Sequence, residues 1–432
     1  MTTSITTSEY ITEHCGKSLS KATNLVRFPL WKRACNTLDD VTFAHHGILR
    51  VMSASSSGRH YLQTADEIYK ANVCHSSYFN ALKSKRRMKM MIALEKQSYQ
   101  IHTETLSALG VNYLKQFPEL DEYRVEAADG HFIQHACHTN KNIKGKVYAA
   151  GFIHALNLKN GLIRPLCVVT NGTERHQEIP VLRNYIEART DAEDHKQKHL
   201  YVYDKAATDY AWWDKQKNNQ NFMISVLKDN ATTTFVESVS FDTADEVNTG
   251  VESYGIYQNK KAKFLLIEYR DPETDILHKF ISTLPKSINP GTIAMLYYKR
   301  WTIEKAFNNS KSDFSERKAW SQDLNALNNQ MRFTAMAYNI ARVCEEKSKA
   351  ETPECIHPSE QKYNKALNKR QEAARSKGKF VNPLFFYERI TRISSFTIHS
   401  LQNAIITGKS ILALMSSLAA KLLPRVREIV EH

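Results

Sequence analysis

Tyr123-Arg-Val-Glu-Ala-Ala-Asp-Gly130 is the point at which the pattern of the chain changes. Apolar and polar side chains alternate from Tyr123 to Ala128, which predicts a β-strand, and Asp129-Gly130 reads as its end. Lys146–Leu158 and Leu162–Thr170 read as the next two strands, with Asn171-Gly172 as the turn signal after them. A helix is predicted over Glu178–Arg189. Next come a short apolar run, Leu200-Tyr-Val-Tyr203, ending at Asp204, a helix near Ala206–Lys217 and a buried strand at Phe222–Leu227. Three strands, a helix, a strand, a helix and a strand imply a mixed sheet covered by helices.

That order is the order of a ribonuclease-H-like core, and the flanking sequence divides around it. Residues 230–288 hold four strand-like runs with no helix between them: Thr234–Phe241, Val251–Tyr257, Ala262–Tyr269 and Ile276–Leu284. They read as a β-rich insertion. Asn289-Pro290 then opens a helix, with Asn as cap and Pro in the first turn. The expected organisation is a helical N-terminal DNA-binding region (1–118), a catalytic core (119–229 and 289–345), the insertion (230–288) and a helical C-terminal region (346–432). The last serves DNA contact or dimerisation. Its first part, 345–380, is rich in Lys and Glu and reads as a linker or an exposed helical hairpin. The fold class is α+β.

The chain has 432 residues and a formal charge of +14. Residues 1–118 carry 15 Lys and Arg against 8 Asp and Glu, residues 345–432 carry 15 against 9, and the middle carries 29 against 28. Basic flanks around a balanced middle suit a catalytic body whose arms grip a polyanion. Tyr78–Tyr99 is the most telling basic segment. It mixes Lys83, Lys85, Arg86, Arg87, Lys89 and Lys96 with Phe79, Leu82, Met88 and Met91, a helix suited to lying on phosphates. No apolar run is long enough to span a bilayer, and Met-Thr-Thr-Ser-Ile lacks the features of a secretory signal, so a cytoplasmic, membrane-free protein is expected. The seven cysteines show no C-x-x-C pair, which fits reduced thiols. His135, Cys137 and His138 read as ordinary polar and packing residues.

The residues that carry chemistry lie between 297 and 311. On one continuous helix Tyr297, Arg300, Glu304 and Lys311 fall within an arc of roughly 60°. Leu296, Ile303, Phe307 and Phe314 form an apolar stripe beside them. A carboxylate in that place can complete a metal site, and Arg and Lys can hold phosphates on either side of a scissile bond. Asp129 and Asp204 each follow a predicted strand, so a helix crossing the sheet can bring Glu304 to the same point. Three carboxylates without His or Cys suit Mg²⁺ or Mn²⁺, and two such ions would activate the attacking oxygen and stabilise the leaving one.

Tyr297-x2-Arg300-x3-Glu304-x6-Lys311 resembles the Y-R-E-K signature of the IS4-type insertion-sequence transposases. Ala128-Asp129-Gly130 and Tyr203-Asp204-Lys205 resemble that family's first and second Asp motifs, with Lys205 where Arg is more usual. The resemblance covers residues 119–345. It implies a DDE triad of Asp129, Asp204 and Glu304, with Asp129 bridging two metal ions and Tyr297, Arg300 and Lys311 positioning the strand. It implies a homodimer that binds the terminal inverted repeats of a transposon, releases a 3′-OH by hydrolysis and joins it to target DNA, in a prokaryotic cytoplasm at the nucleoid. Some relatives pass through a hairpin with an aromatic residue of the insertion holding a flipped base. The insertion here has no Trp, and Phe235, Tyr254, Tyr257 and Phe264 are its aromatic substitutes. Two other readings use the same residues: a non-catalytic DNA-binding relic or inhibitor, and a ribonuclease-H-like nuclease without strand joining.

Overall fold

Helix signals in the N-terminal region are local and are obeyed locally. The computed structural model describes residues 38–53, 57–69, 73–133, 150–169, 178–190, 197–314, 318–351, 358–385 and 395–407, with positions 13 and 55. Helices α1 (Asp40–Met52), α2 (Gly58–Tyr69), α3 (His75–Leu82) and α4 (Lys85–Ala108) come first. Asp39 caps α1 by accepting the Thr42 N–H at 2.7 Å. The single basic helix expected over Tyr78–Tyr99 is two helices. The chain breaks at Lys83-Ser84, and the Ser84 hydroxyl caps α4 by accepting the Arg87 N–H. A serine there is a helix-start signal, and it competes with continuation of α3.

The sheet follows. Strands β1 (Tyr123–Ile133), β2 (Ala150–Asn157) and β3 (Ile163–Val169) are antiparallel neighbours. Helix α5 (Glu178–Thr190) leads to β4 (Lys198–Val202), then α6 (Tyr210–Lys217) and β5 (Asn221–Val226). β4 pairs in parallel with both β1 and β5. The expected start of β2 at Lys146, the Asn171-Gly172 turn and the His135, Cys137 and His138 group lie outside the described residues. Strand β1 does not end at Asp129, as expected, but runs on to Ile133 because β2 continues to pair with it.

Residues 230–288 supply β6 (Thr234–Ser238), β7 (Val251–Asn259), β8 (Ala262–Arg270) and β9 (Leu277–Ser282). They extend the core sheet: β9 pairs antiparallel with β5, giving the order β3-β2-β1-β4-β5-β9-β8-β7-β6. The edge that β5 would otherwise leave open is thereby used. This α+β arrangement is the one expected of a ribonuclease-H-like fold.

Helices α7 (Pro290–Arg300), α8 (Thr302–Asn308), a π-turn (Asn309–Asp313), α9 (Leu324–Glu351), α10 (Pro358–Arg375) and α11 (Ser395–Thr407) complete the described chain. One face of the sheet buries Val125, Ala127, Leu200, Val202 and Ile224 with residues of α1, α4, α7 and α9. The other buries Ala128, Tyr201, Tyr203 and Met223 against Leu182 and Ile186 of α5 and Trp213 of α6. Helix α9 takes in the first residues of the segment read as a linker or an exposed helical hairpin, and there Glu345 and Glu346 are buried, not exposed. Their charges are matched by Arg342, whose guanidinium lies 2.9 Å from Glu345 and 3.9 Å from Glu346.

The start of α7 is fixed from a distance. Pro290 occupies the first turn as expected, but the Asn289 side chain does not cap the helix. It donates to Asp245 at 3.1 Å, while Asn248, from the turn Glu246–Asn248, accepts the Gly291 N–H at 3.0 Å. A Cβ on Gly291 would stand 1.9 Å from the Val247 carbonyl oxygen. Gly291→Ala must therefore push α7 off that turn. We expect its melting temperature, followed by circular dichroism, to fall by about 4 °C or more; an unchanged melting curve would show that α7 is not seated there.

Candidate active site

The parallel ladder between β1 and β4 places the first two acids. Ala127 is the register partner of Val202. Side chains alternate along a strand, so two residues further on each chain point to the same face. Those residues are Asp129 and Asp204. The chain at Asp204 is still extended (φ −67°, ψ 156°), and the Tyr203 N–H still bonds to the Ile224 carbonyl at 3.0 Å. Each carboxylate accepts the N–H of its following residue, Gly130 or Lys205, at 2.8 Å. Asp129 thus lies inside β1 rather than after it, but beyond the point where β4 stops pairing with it.

The third acid arrives on a broken helix. The expected arc of Tyr297, Arg300, Glu304 and Lys311 assumed one continuous helix, whereas α7 stops at Arg300, Trp301 turns, and α8 restarts at Thr302. Lys311 falls in the π-turn, and its side chain lies outside what is described. The apolar stripe is buried as expected, at Leu296, Ile303, Phe307 and Phe314. Phe307 pins α8 to the sheet between His131 of β1 (ring centroids 5.1 Å apart) and His154 of β2 (5.7 Å). This holds Glu304 within electrostatic reach of Asp129 of β1, with its side chain 52% exposed.

Arg300 joins the acids. Its Nη1 lies 3.9 Å from Asp129 Oδ2 and its Nη2 3.5 Å from Glu304 Oε1. The guanidinium carbon is 5.5 Å from the centroid of the Tyr297 ring, which packs at a tilt against Phe280 of β9. Burial pushes the Asp129 carboxyl above its ordinary range; the Gly130 N–H and Arg300 pull it back, and Glu304 and Asp204 push it up again. The Tyr297 phenol is likewise raised, first by burial, with Arg300 opposing and Asp204 and Glu304 adding to it. The three carboxylates are therefore within electrostatic reach of one another. Their donor set is oxygen only, the kind that Mg²⁺ or Mn²⁺ takes. Among the described residues, however, no three His, Cys, Asp or Glu side chains already enclose a cation position. The three acids come to one end of the sheet, and the Arg300 guanidinium stands between two of them.

The basic N-terminal candidates separate into two kinds. Arg86 and Arg87 both pair with Asp40, at 2.6 and 2.9 Å, and Arg87 also donates to the Leu38 carbonyl. Arg87 and Asp40 are buried. Arg87 is thus a packing residue, and Arg86 spends its charge on Asp40; neither fits the phosphate contact expected of it. Lys83, Lys85 and Lys89 are exposed. Lys83 lies beside the start of α9. The Lys83 carbonyl accepts from Asn325, and α9 packs there on Ile133 and Ala150 through Leu327 and Met331.

Of the insertion aromatics, Tyr254 and Phe264 are core residues, and Phe235 is exposed against Tyr257. Sequence reading assigned no role to Trp301, which lines a cavity of about 280 Å³ with Tyr269, Asp271, His278, Tyr298 and Phe385. Its members are scattered from 269 to 385, so no local pattern announces it. Cys74 and Cys167 are free thiols. Among the described residues no helix is long and apolar enough to cross a membrane.

A family profile described as the transposase DDE domain matches residues 120–340. No curated protein matches the chain.

Removing Arg87 should cost stability, because Asp40 would keep only the half-exposed Arg86. Arg87→Met is expected to lower unfolding stability by about 2 kcal/mol in a denaturant titration, while Lys89→Met leaves it unchanged. Equal effects would return Arg87 to the group of surface cations.

Proposed function

The chain belongs to the DDE-domain transposases, and from that premise we propose an IS4-type DNA transposase. It binds the inverted repeats at its element's ends as a homodimer, cleaves phosphodiester bonds by metal-assisted hydrolysis and joins the 3′-OH to target DNA. The observation that carries the reading is the parallel register that sets Asp129 beside Asp204, with Glu304 linked to Asp129 through Arg300. Asp129, Asp204 and Glu304 would hold Mg²⁺ or Mn²⁺. Two such ions, when bound, would lower the pKa of the attacking oxygen and stabilise the leaving one.

The other roles belong to the chain's own groups. Arg300 presents a planar fork that matches a phosphate oxygen pair, and it lies next to the acids, so it grips the scissile phosphate. Tyr297, buried against Phe280, sets the direction of that fork. The burial that raises Asp129 also thins the water around the reacting phosphate and strengthens each charge contact there. Lys83, Lys85 and Lys89 take duplex phosphates away from the cut. Lys311 is the remaining strand contact that the signature implies.

Asp129→Asn, Asp204→Asn and Glu304→Gln are each expected to lower cleavage of inverted-repeat DNA by roughly a thousandfold or more, with end binding in a gel-shift assay retained. Cleavage at the wild-type rate by any of them would remove that residue from the site. Joined products, scored beside nicked ones, separate a transposase from a nuclease. Changing Lys83, Lys85 and Lys89 together to Gln should weaken binding to all duplexes alike. It should also reduce the slope of log affinity against log salt by about 2–3, and a sequence-dependent loss with an unchanged slope would contradict the phosphate role.

A further inference from the structure

The arginines of this chain are held in two different ways. Arg87 and Arg342 are buried in close contact with carboxylates, each at 2.9 Å, the distance of strong charge-assisted hydrogen bonds. Arg300 is as buried as Arg87, at 7% side-chain exposure, yet its nearest carboxylate oxygens lie at 3.5 and 3.9 Å. It straddles Asp129 and Glu304 without closing a tight pair with either. Its Nε is buried and has no hydrogen-bond partner. A buried guanidinium in that condition is poorly satisfied, and a phosphate, which takes two parallel N–H bonds, is a better partner than either acid.

We propose that Arg300 is an interlock: before substrate enters, its guanidinium stands in the carboxylate cluster as an internal counter-ion, and a DNA phosphate must draw it out before divalent metal can load. The inference rests on the reading of Asp129, Asp204 and Glu304 as metal ligands.

A divalent cation bound by Asp129 and Glu304 would lie within a few ångströms of the guanidinium, in a half-buried site where like charges repel strongly. The same two carboxylates cannot fully serve both cations. Arg300 sits at the last residue of α7, immediately before the turn at Trp301, and its guanidinium lies near the Tyr297 ring. The aromatic face gives the cation a path along which it stays attracted as it leaves the acids. Phosphate entry then does two things at once: it fixes the scissile group and it exposes the oxygen ligands. Metal loading becomes conditional on engaged DNA.

The test reads metal binding rather than activity, with Mn²⁺ as the probe and the full-length protein without DNA. Electron paramagnetic resonance titration of Mn²⁺ is expected to show Arg300→Met binding about tenfold more tightly than wild type. Arg300→Lys keeps a cation at the same place and should stay close to wild type. Arg300→Gln carries the same test should the methionine variant fail to fold. Neutral variants that bind Mn²⁺ no more tightly than wild type would overturn the interlock. Adding Asp129→Asn to Arg300→Met should abolish the gained binding. Mn²⁺ binding indifferent to Asp129→Asn would instead remove the metal-site reading, a different failure from that of the interlock.

Discussion

The parallel pairing of β4 with β1 is the constraint on which the rest of the molecule turns. Parallel strands need a crossover, supplied here by the path through β2, β3 and α5, so the two acids are 75 positions apart in sequence and two residues beyond one register pair in space. What keeps that register is burial on both faces. Val125, Ala127, Leu200 and Val202 are on one side, and Ala128, Tyr201 and Tyr203 on the other. A slip of one residue would carry Asp204 to the α5–α6 face and turn tyrosines toward α7. The apolar core therefore determines where the two carboxylates meet, and it does so without touching either of them.

The helical half solves the complementary problem of bringing a third acid to the same end. Helix α7 is seated at its start by a carbonyl that only a glycine can approach, and α8 is seated by Phe307 between two histidine rings. Between these fixed points the chain turns at Trp301. Helix α9 backs the whole arrangement. Its Asn329 and Asn339 bond to backbone groups at Leu82 and at Ile163, tying the N-terminal helices and the edge strand β3 to one rod.

Legibility in the sequence follows the range of the cause. Strands with two-residue alternation, the apolar stripe at Leu296, Ile303, Phe307 and Phe314, and Pro290 in a first turn are all set by neighbours in the chain, and all could be read. The strands of 230–288 were readable as strands, but not as the continuation of the core sheet, because β9 meets β5 only in three dimensions. The cap of α7 comes from Asn248 and not from the adjacent Asn289, for the same reason. Arg86 and Arg87 looked like phosphate ligands because Asp40 is far away in the chain. Glu345 and Glu346 looked solvated because nothing in the local pattern says that Arg342 is buried beside them. Each of these misreadings concerns a pairing or a burial that only the folded chain brings about.

That pattern bears on how structural and functional arginines are told apart. Composition gives Arg87, Arg342 and Arg300 the same chemistry, and burial gives them nearly the same exposure. What separates them is how closely a carboxylate engages them: 2.9 Å for Arg87 and for Arg342, and no nearer than 3.5 Å for Arg300. Arg87 fills its fork with Asp40 and the Leu38 carbonyl, so moving it would leave a buried carboxylate exposed to loss. Arg300 faces two carboxylates at longer range, one of them half in solvent, and carries a buried N–H that nothing accepts. Moving it leaves neither acid as a buried carboxylate stripped of a close partner. In a site crowded with like-charged acids, the cation that holds the acids together most weakly is also the one a phosphate can most readily recruit.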